Sequence, residues 1–229
     1  SGMGGQINTN STHGSTNFDG GISCILSANP EAGFSVASYN GNNTIGHGLG
    51  KIPQVIIGKL RTANNWTTYY NAVDGSSDYM LLNSTQAGAT GGGTYTSTVG
   101  SVQNSGNGVL YAFVSIPGYS QIGRYTGNGN ANGPFINTGF KPGWLMIKNV
   151  SAAADWIIWD TKRDPFNVTQ TFLYPNLRSA DALGGAGVID LLSNGFKLRN
   201  AGTRNRNYNG DVYLYMAFAE SPFKYANAR

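Results

Sequence analysis

Two stretches of this chain spell out one pattern, and that duplication restricts the fold more than any other feature. The first runs Gly33-Phe34-Ser35-Val36-Ala37-Ser38-Tyr39-Asn40-Gly41-Asn42 and, after a polar loop, Gly46-His47-Gly48-Leu49-Gly50-Lys51-Ile52-Pro53-Gln54-Val55-Ile56-Ile57-Gly58-Lys59. The second runs Gly118-Tyr119-Ser120-Gln121-Ile122-Gly123-Arg124-Tyr125-Thr126-Gly127-Asn128 and then Asn137-Thr138-Gly139-Phe140-Lys141-Pro142-Gly143-Trp144-Leu145-Met146-Ile147-Lys148. Both read as strand, Tyr-x-Gly-Asn turn, polar loop, Gly–apolar–Lys before a Pro, and a strand ending in Lys. Each is followed by a Trp, at Trp66 and Trp156. A unit of roughly 90 residues therefore occurs twice, and each copy must be able to bury a core.

The elements inside each copy are strands. Gln54–Leu60 and Trp144–Lys148 are short, nearly continuous apolar runs, and Trp66–Tyr70 and Trp156–Asp160 are aromatic and β-branched. Tyr79–Asn83 matches Thr171–Asn176, and Gly91–Gly93 matches Gly184-Gly185. Ala180–Leu183 leaves room for one helical turn, but no 3.6-residue periodicity is sustained anywhere. Only 11% of residues are charged and 33 are Gly, which suits a turn-rich all-β protein, while 12% aromatic content argues against disorder. The expected fold is all-β: two tandem β-sandwich, jelly-roll-like modules. Residues 1–20 read as a flexible arm or linker, 21–117 as the first module and 118–229 as the second. Gly21–Ala28 is expected to pair into the first module, in the role Val109–Ser115 plays for the second. It reads as the closing strand of a preceding module, as in a piece of a longer protein.

Composition also limits chemistry. The net charge of +4 comes from few charges of either sign, so nucleic acid is not a favoured partner. No apolar run reaches the roughly 18 residues of a membrane span, and no signal peptide is apparent. Cys24 is the only cysteine and reads as a buried structural thiol. His47 has no second ligand at metal spacing and is expected to hydrogen-bond to backbone. The Gly-rich segments lack the Lys-Ser/Thr of a phosphate loop and read as turns. Neither a metal nor a cofactor is expected.

The sequence resembles the repeat modules at the C-terminal ends of tail-fibre and other virion-surface proteins of tailed bacteriophages. The matching pieces are Gly33-Phe34-Ser35-Val36 with Tyr39 and Gly41, His47-Gly48-Leu49-Gly50 before Pro53, and Tyr125-Thr126-Gly127-Asn128-Gly129. Gly133-Pro134-Phe135, Thr138-Gly139-Phe140-Lys141-Pro142 and Met146-Ile147-Lys148 match as well. So do Asp160-Thr161, Arg163-Asp164, Leu192–Arg199 and the ending Met216–Lys224. The resemblance covers residue 29 to the C-terminus. It implies a non-enzymatic structural protein of the virion surface, a tail-fibre or surface-fibre module. Such a module binds host-cell surface glycan or other virion proteins and is generally a homotrimer. The alternatives are a capsid decoration protein, or a tailspike-type polysaccharide depolymerase.

Candidate binding residues follow from charge and aromaticity. Lys197, Arg199, Arg204 and Arg206 surround a loop ending in Asn209-Gly210, and Lys197 and Arg199 share one strand face. These four cations read first as a solvated hairpin or a contact with a neighbouring subunit, and alternatively as a site for acidic polysaccharide or lipopolysaccharide phosphate. Tyr208, Tyr125 and Tyr39, as loop aromatics, are the candidates for an aromatic sugar-binding site. Asp155, Asp160 and Asp164 form the densest acidic group, but turn and capping roles are expected rather than the acid pair that glycosidic hydrolysis needs. Trp66 and Trp156 are expected in the cores.

Overall fold

The computed structural model describes residues 14–101, 106–183 and 188–222. Gly184-Gly185, Phe223-Lys224 and the expected arm up to residue 13 lie outside them. Among the described residues all regular structure is β, in antiparallel sheets, and the fold is of the β-sandwich class. The chain divides into two compact units: Ser1–Leu81 with Ala89–Ser115, and Leu82–Gly88 with Ile116–Arg229.

In the first unit, β1 (Ser15–Asn17), β2 (Cys24–Asn29), β3 (Phe34–Asn40), β4 (Thr44–Gly46) and β5 (Val55–Leu60) precede β6 (Thr67–Tyr70), β7 (Asp78–Leu81), β8 (Ala89–Thr90), β9 (Val99–Ser101) and β10 (Asn107–Phe113). They form an eight-stranded sheet in the order β1-β2-β3-β10-β5-β6-β7-β8 and a ribbon of β4 with β9. Alternation assigns the faces. Cys24, Leu26 and Ala28 of β2, Ala37 and Tyr39 of β3, and Leu110 and Ala112 of β10 are buried in one core with Ile45, Leu49 and Tyr69. Ile25, Ser38 and Val109 pair across the opposite face.

In the second unit, the strands are β11 (Ser120–Thr126), β12 (Phe135–Asn137), β13 (Pro142–Asn149), β14 (Ile157–Asp160), β15 (Thr171–Phe172), β16 (Ala182–Leu183), β17 (Ile189–Leu192), β18 (Gly195–Leu198) and β19 (Val212–Ala219). One sheet has the order β11-β19-β13-β14 and another the order β12-β18-β17, while β15 pairs with β16. Tyr125, Leu145, Ile147, Trp159, Tyr213 and Tyr215 of the first sheet meet Ile136, Phe196, Leu198, Ile189 and Leu191 of the second in one core.

The two units share a strand order. In the first, β3-β10-β5-β6 are neighbours; in the second, β11-β19-β13-β14 stand in the same sequence-order places. The pairs β4–β9 and β12–β18 correspond, as do β7–β8 and β15–β16. Even the penultimate lysines of β5 and β13 repeat a contact: Lys59 Nζ donates to the carbonyl of Leu60 at 2.6 Å, and Lys148 Nζ to that of Asn149 at 2.9 Å.

Several expectations need correction. Val109–Ser115 does not serve the second unit. Most of it is β10, in the middle of the first unit's own sheet, because the buried alternation of Leu110, Ala112 and Val114 is satisfied there. The earlier strand does join the first unit, as β2 at the outer side of β3. Ser15–Asn17 is strand rather than arm, pairing with β2. Ala182–Leu183 is strand, with no helical turn. Trp66 is 37% exposed, since β6 begins after it and all four residues of that strand are buried instead. Trp156 is buried, as expected.

Leu82–Gly88 belongs to the second unit although the chain reaches it from β7 of the first. Gly88 N–H donates to Val150 O at 2.8 Å, Ala154 N–H donates to Thr85 O at 2.9 Å, and Lys148 Nζ donates to Thr85 O at 3.3 Å. No repetition in the sequence signals this exchange.

Candidate functional site

The seven residues picked out as binding candidates do not form one site. Tyr39 belongs to the first unit and the other six to the second. Tyr39 and Tyr125 are strand residues, not loop residues, and both are buried. Tyr39 packs over Gly108, where any Cβ would strike its hydroxyl. Tyr125 stacks on Tyr213 with ring centroids 4.9 Å apart and donates its hydroxyl to Arg206 O at 2.6 Å. Burial holds that phenol well above its ordinary pKa.

Arg206 is 7% exposed, with its guanidinium 5.3 Å from the Phe172 ring centroid. Its Nε has no hydrogen-bond partner, and burial lowers the pKa of the guanidinium. It is a core side chain and cannot reach an external ligand. The remaining cations are engaged locally. Lys197 Nζ donates to Gly133 O at 2.8 Å, Arg199 pairs with Asp190 at 3.4 Å, and Arg204 pairs with Asp211 at 3.4 Å. Arg204 also lies 4.3 Å from the centroid of Tyr208, which is 40% exposed.

Two buried asparagines hold this loop, and sequence reasoning passed over both. Asn207 accepts from Asn128 N–H at 2.9 Å and donates to Asn130 O and Asn200 O at 2.8 and 2.7 Å. Asn149 donates to Arg204 O at 2.7 Å and to Asp211 Oδ2 at 2.8 Å. The Thr203 carbonyl caps the turn by accepting from Arg206 N–H and Asn207 N–H. The loop is a built element in which Arg199 and Arg204 are paired with carboxylates.

The acidic group also serves structure. Asp155 accepts from Asn176 Nδ2 at 2.8 Å, Asp160 pairs with Arg163 at 2.8 Å, and Asp164 accepts from Thr171 N–H at 2.6 Å and Gln170 N–H at 2.7 Å. Those amides, Thr171's foremost, hold the Asp164 carboxyl below the usual carboxylate range. His47 is fully buried, with Nε2 3.1 Å from Thr96 O and Nδ1 accepting from Leu49 N–H at 3.2 Å. Nε2 therefore carries the proton, and burial lowers the ring's pKa. Cys24 is buried, donates to Gly46 O at 3.4 Å, and has its thiol pushed up to about 11 by burial.

A solvent-open cavity of about 270 Å³ lies in the first unit, at the outer face of the large sheet where β2, β3 and β10 meet the end of β5. Its walls include Ser23, Ile25, Ser38, Asn40, Arg61 and Asn107. Alternation turns Ser38 and Asn40 outward while Tyr39 points to the core, and Asn107 outward while Gly108 lies beneath Tyr39. Arg61 N–H donates to Asn107 O at 2.8 Å, and its guanidinium reaches back across β10 to donate to Ser38 Oγ at 3.3 Å. Among the described residues no carboxylate forms an ion pair with Arg61, whereas Lys141, Arg199 and Arg204 each have one and Arg163 has two. A signal for this site was present: residues 32–73 contain Lys51, Lys59 and Arg61 and not one acid.

Among the described residues no group of three or more His, Cys, Asp or Glu is arranged to hold a metal ion, and no helix is long and apolar enough to cross a membrane. No curated protein and no solved structure matches the chain. A family model described as "Domain of unknown function (DUF7483)" matches residues 8–222, nearly the whole length, and the chain belongs to that family.

Proposed function

We propose that this chain is a non-enzymatic structural and binding protein of the bacteriophage virion surface. It is a pair of duplicated β-sandwich modules in a tail fibre or surface fibre that attaches to host-cell surface glycan. The observation that supports this reading is the common strand order of the two units, set against polar groups that differ between them. A scaffold repeated for display holds its cores constant and varies what its surfaces carry. The second unit carries a basic loop whose Arg199 and Arg204 are paired with carboxylates, and the first an arginine without an ion pair beside hydroxyl and amide groups. Binding rather than cleavage is favoured because Asp155, Asp160 and Asp164 are each committed to a local partner. Assembly as a homotrimer, with other virion proteins as partners, belongs to the same proposal.

The test uses fluorescently labelled protein on bacterial cells, in parallel with incubation on polysaccharide extracted from them. Saturable cell binding with polysaccharide of unchanged length is expected. Oligosaccharide release that Asp160→Asn abolishes would make the protein a depolymerase. Failure to bind any cell surface would remove the adhesive reading.

A further inference from the structure

We infer that the cavity beside Arg61 is a binding site for an acidic sugar, with the carboxylate of a hexuronate on the guanidinium and its ring hydroxyls on the surrounding amides and hydroxyls. The inference rests on the reading of the chain as a glycan-binding module and names the site and the ligand class.

The register builds the site from β2, β3 and β10 together with Arg61, the residue that follows β5. Asn40 pairs with Asn107 across β3 and β10, and Ser38 with Val109 one step along the same face. On the other side of β3, Ile25 pairs with Ser38, which sets Ile25 on this face and Ser23 beyond it. Arg61 is anchored through its backbone to Asn107 and through its head group to Ser38. It is therefore held over the cavity rather than free in solvent. One guanidinium presents five N–H donors in a planar fork, and only one contact, to Ser38, is used here. A carboxylate takes two parallel bonds from that fork and neutralises a charge that nothing else in the described structure neutralises.

The rest of the lining selects a polyol. Asn40 and Asn107 carry one acceptor and two donor hydrogens each, and Ser23 and Ser38 both donate and accept. Sugar hydroxyls likewise do both, so they can satisfy these groups in several orientations. Ile25, 40% exposed, supplies an apolar surface for the C–H face of a pyranose ring. The volume of about 270 Å³ lies just under the roughly 300–1,000 Å³ of drug-sized pockets, which suits one sugar residue with its chain continuing into solvent. Lys59, tied to Leu60 O and Thr62 O, adds positive charge near Arg61 and raises the local concentration of anions.

The experiment is amide NMR titration of the whole chain with digalacturonate, with a neutral galactose disaccharide, and with acetate. Digalacturonate is expected to shift Ser38, Asn40, Arg61 and Asn107, with a Kd on the order of 1 mM. Affinity should fall several-fold between 50 and 500 mM salt, because the pair is solvent-accessible. Arg61→Gln should weaken it at least tenfold, and Asn40→Ala, an exposed change that leaves the fold intact, several-fold. Equal binding of the neutral disaccharide, untouched by Arg61→Gln, overturns the acidic-sugar assignment and leaves the glycan-binding proposal standing. Acetate binding as tightly as digalacturonate also overturns it, reducing the site to a bare carboxylate contact. Absence of shifts at the cavity with all three probes overturns the site itself. Digalacturonate binding by a protein that adheres to no cell supports the site and sinks the adhesive reading.

Discussion

Lys148 is the residue whose replacement most directly tests the electrostatics of the second unit. Its side chain is fully buried, 6.0 Å from the Trp156 ring centroid, and its ammonium donates to Asn149 O and Thr85 O. Burial pulls its pKa from 10.5 to about 8, with Asp155 opposing. The drop corresponds to roughly 3 kcal/mol of cost for holding the charge in the folded state, at about 1.4 kcal/mol per pH unit. The sign follows from linkage. Between about pH 8 and 10.5 the unfolded chain binds this proton and the folded chain releases it, so stability rises with pH across that window. The penalty is complete below pH 8 and relieved above it. From pH 7 to 9.5 the expected gain from this one group is about 2 kcal/mol. Lys148→Met removes the titration while filling the same space. Urea unfolding of both proteins at half-unit pH steps isolates the term as the difference between two curves, since other groups cancel. The wild-type chain should gain about 2 kcal/mol on the variant over that range. Parallel curves would refute the reasoning, and so would a relative loss of stability in the wild type.

Arg206→Ser should destabilise the second unit by about 2–4 kcal/mol in urea unfolding, because it empties the space against Phe172. Arg204→Ser, at a half-exposed pair with Asp211, should cost under about 1 kcal/mol. Gly108→Ala should cost about 1–3 kcal/mol, since the added Cβ meets the Tyr39 ring in a packed core; an unchanged melting temperature would show that Tyr39 moves freely. A chain beginning at residue 33 loses β2, and with it buried Cys24, Leu26 and Ala28 and the cover on the edge of β3. It should melt at a lower temperature and associate at micromolar concentration in sedimentation.

The all-β class and most of the strands were legible in the sequence, because alternation and turn residues are local signals. Val36-Ala37-Ser38-Tyr39 must place every second residue on one face, wherever that face goes. The duplication fixed more, since two copies of one pattern make one strand order in both units the simplest outcome. What the chain did not disclose depends on which segments meet. Val109–Ser115 carries the same apolar alternation whether it serves the unit before it or the one after; only pairing with β3 and β5 decides. Leu82–Gly88 is polar and featureless, and backbone bonds to Val150 and Ala154 assign it to the second unit. The candidate site failed for the same reason. Arg206 and Tyr125 look like surface groups by residue type, yet Phe172 and Tyr213 close over them. Arg61 looks ordinary in a strand-end turn. Its standing as an uncompensated cation arises because β10 lies between β5 and β3, so that its guanidinium crosses to Ser38 where no carboxylate is in reach. Local sequence sets which way a side chain points from its strand; the partner strand sets what it finds there.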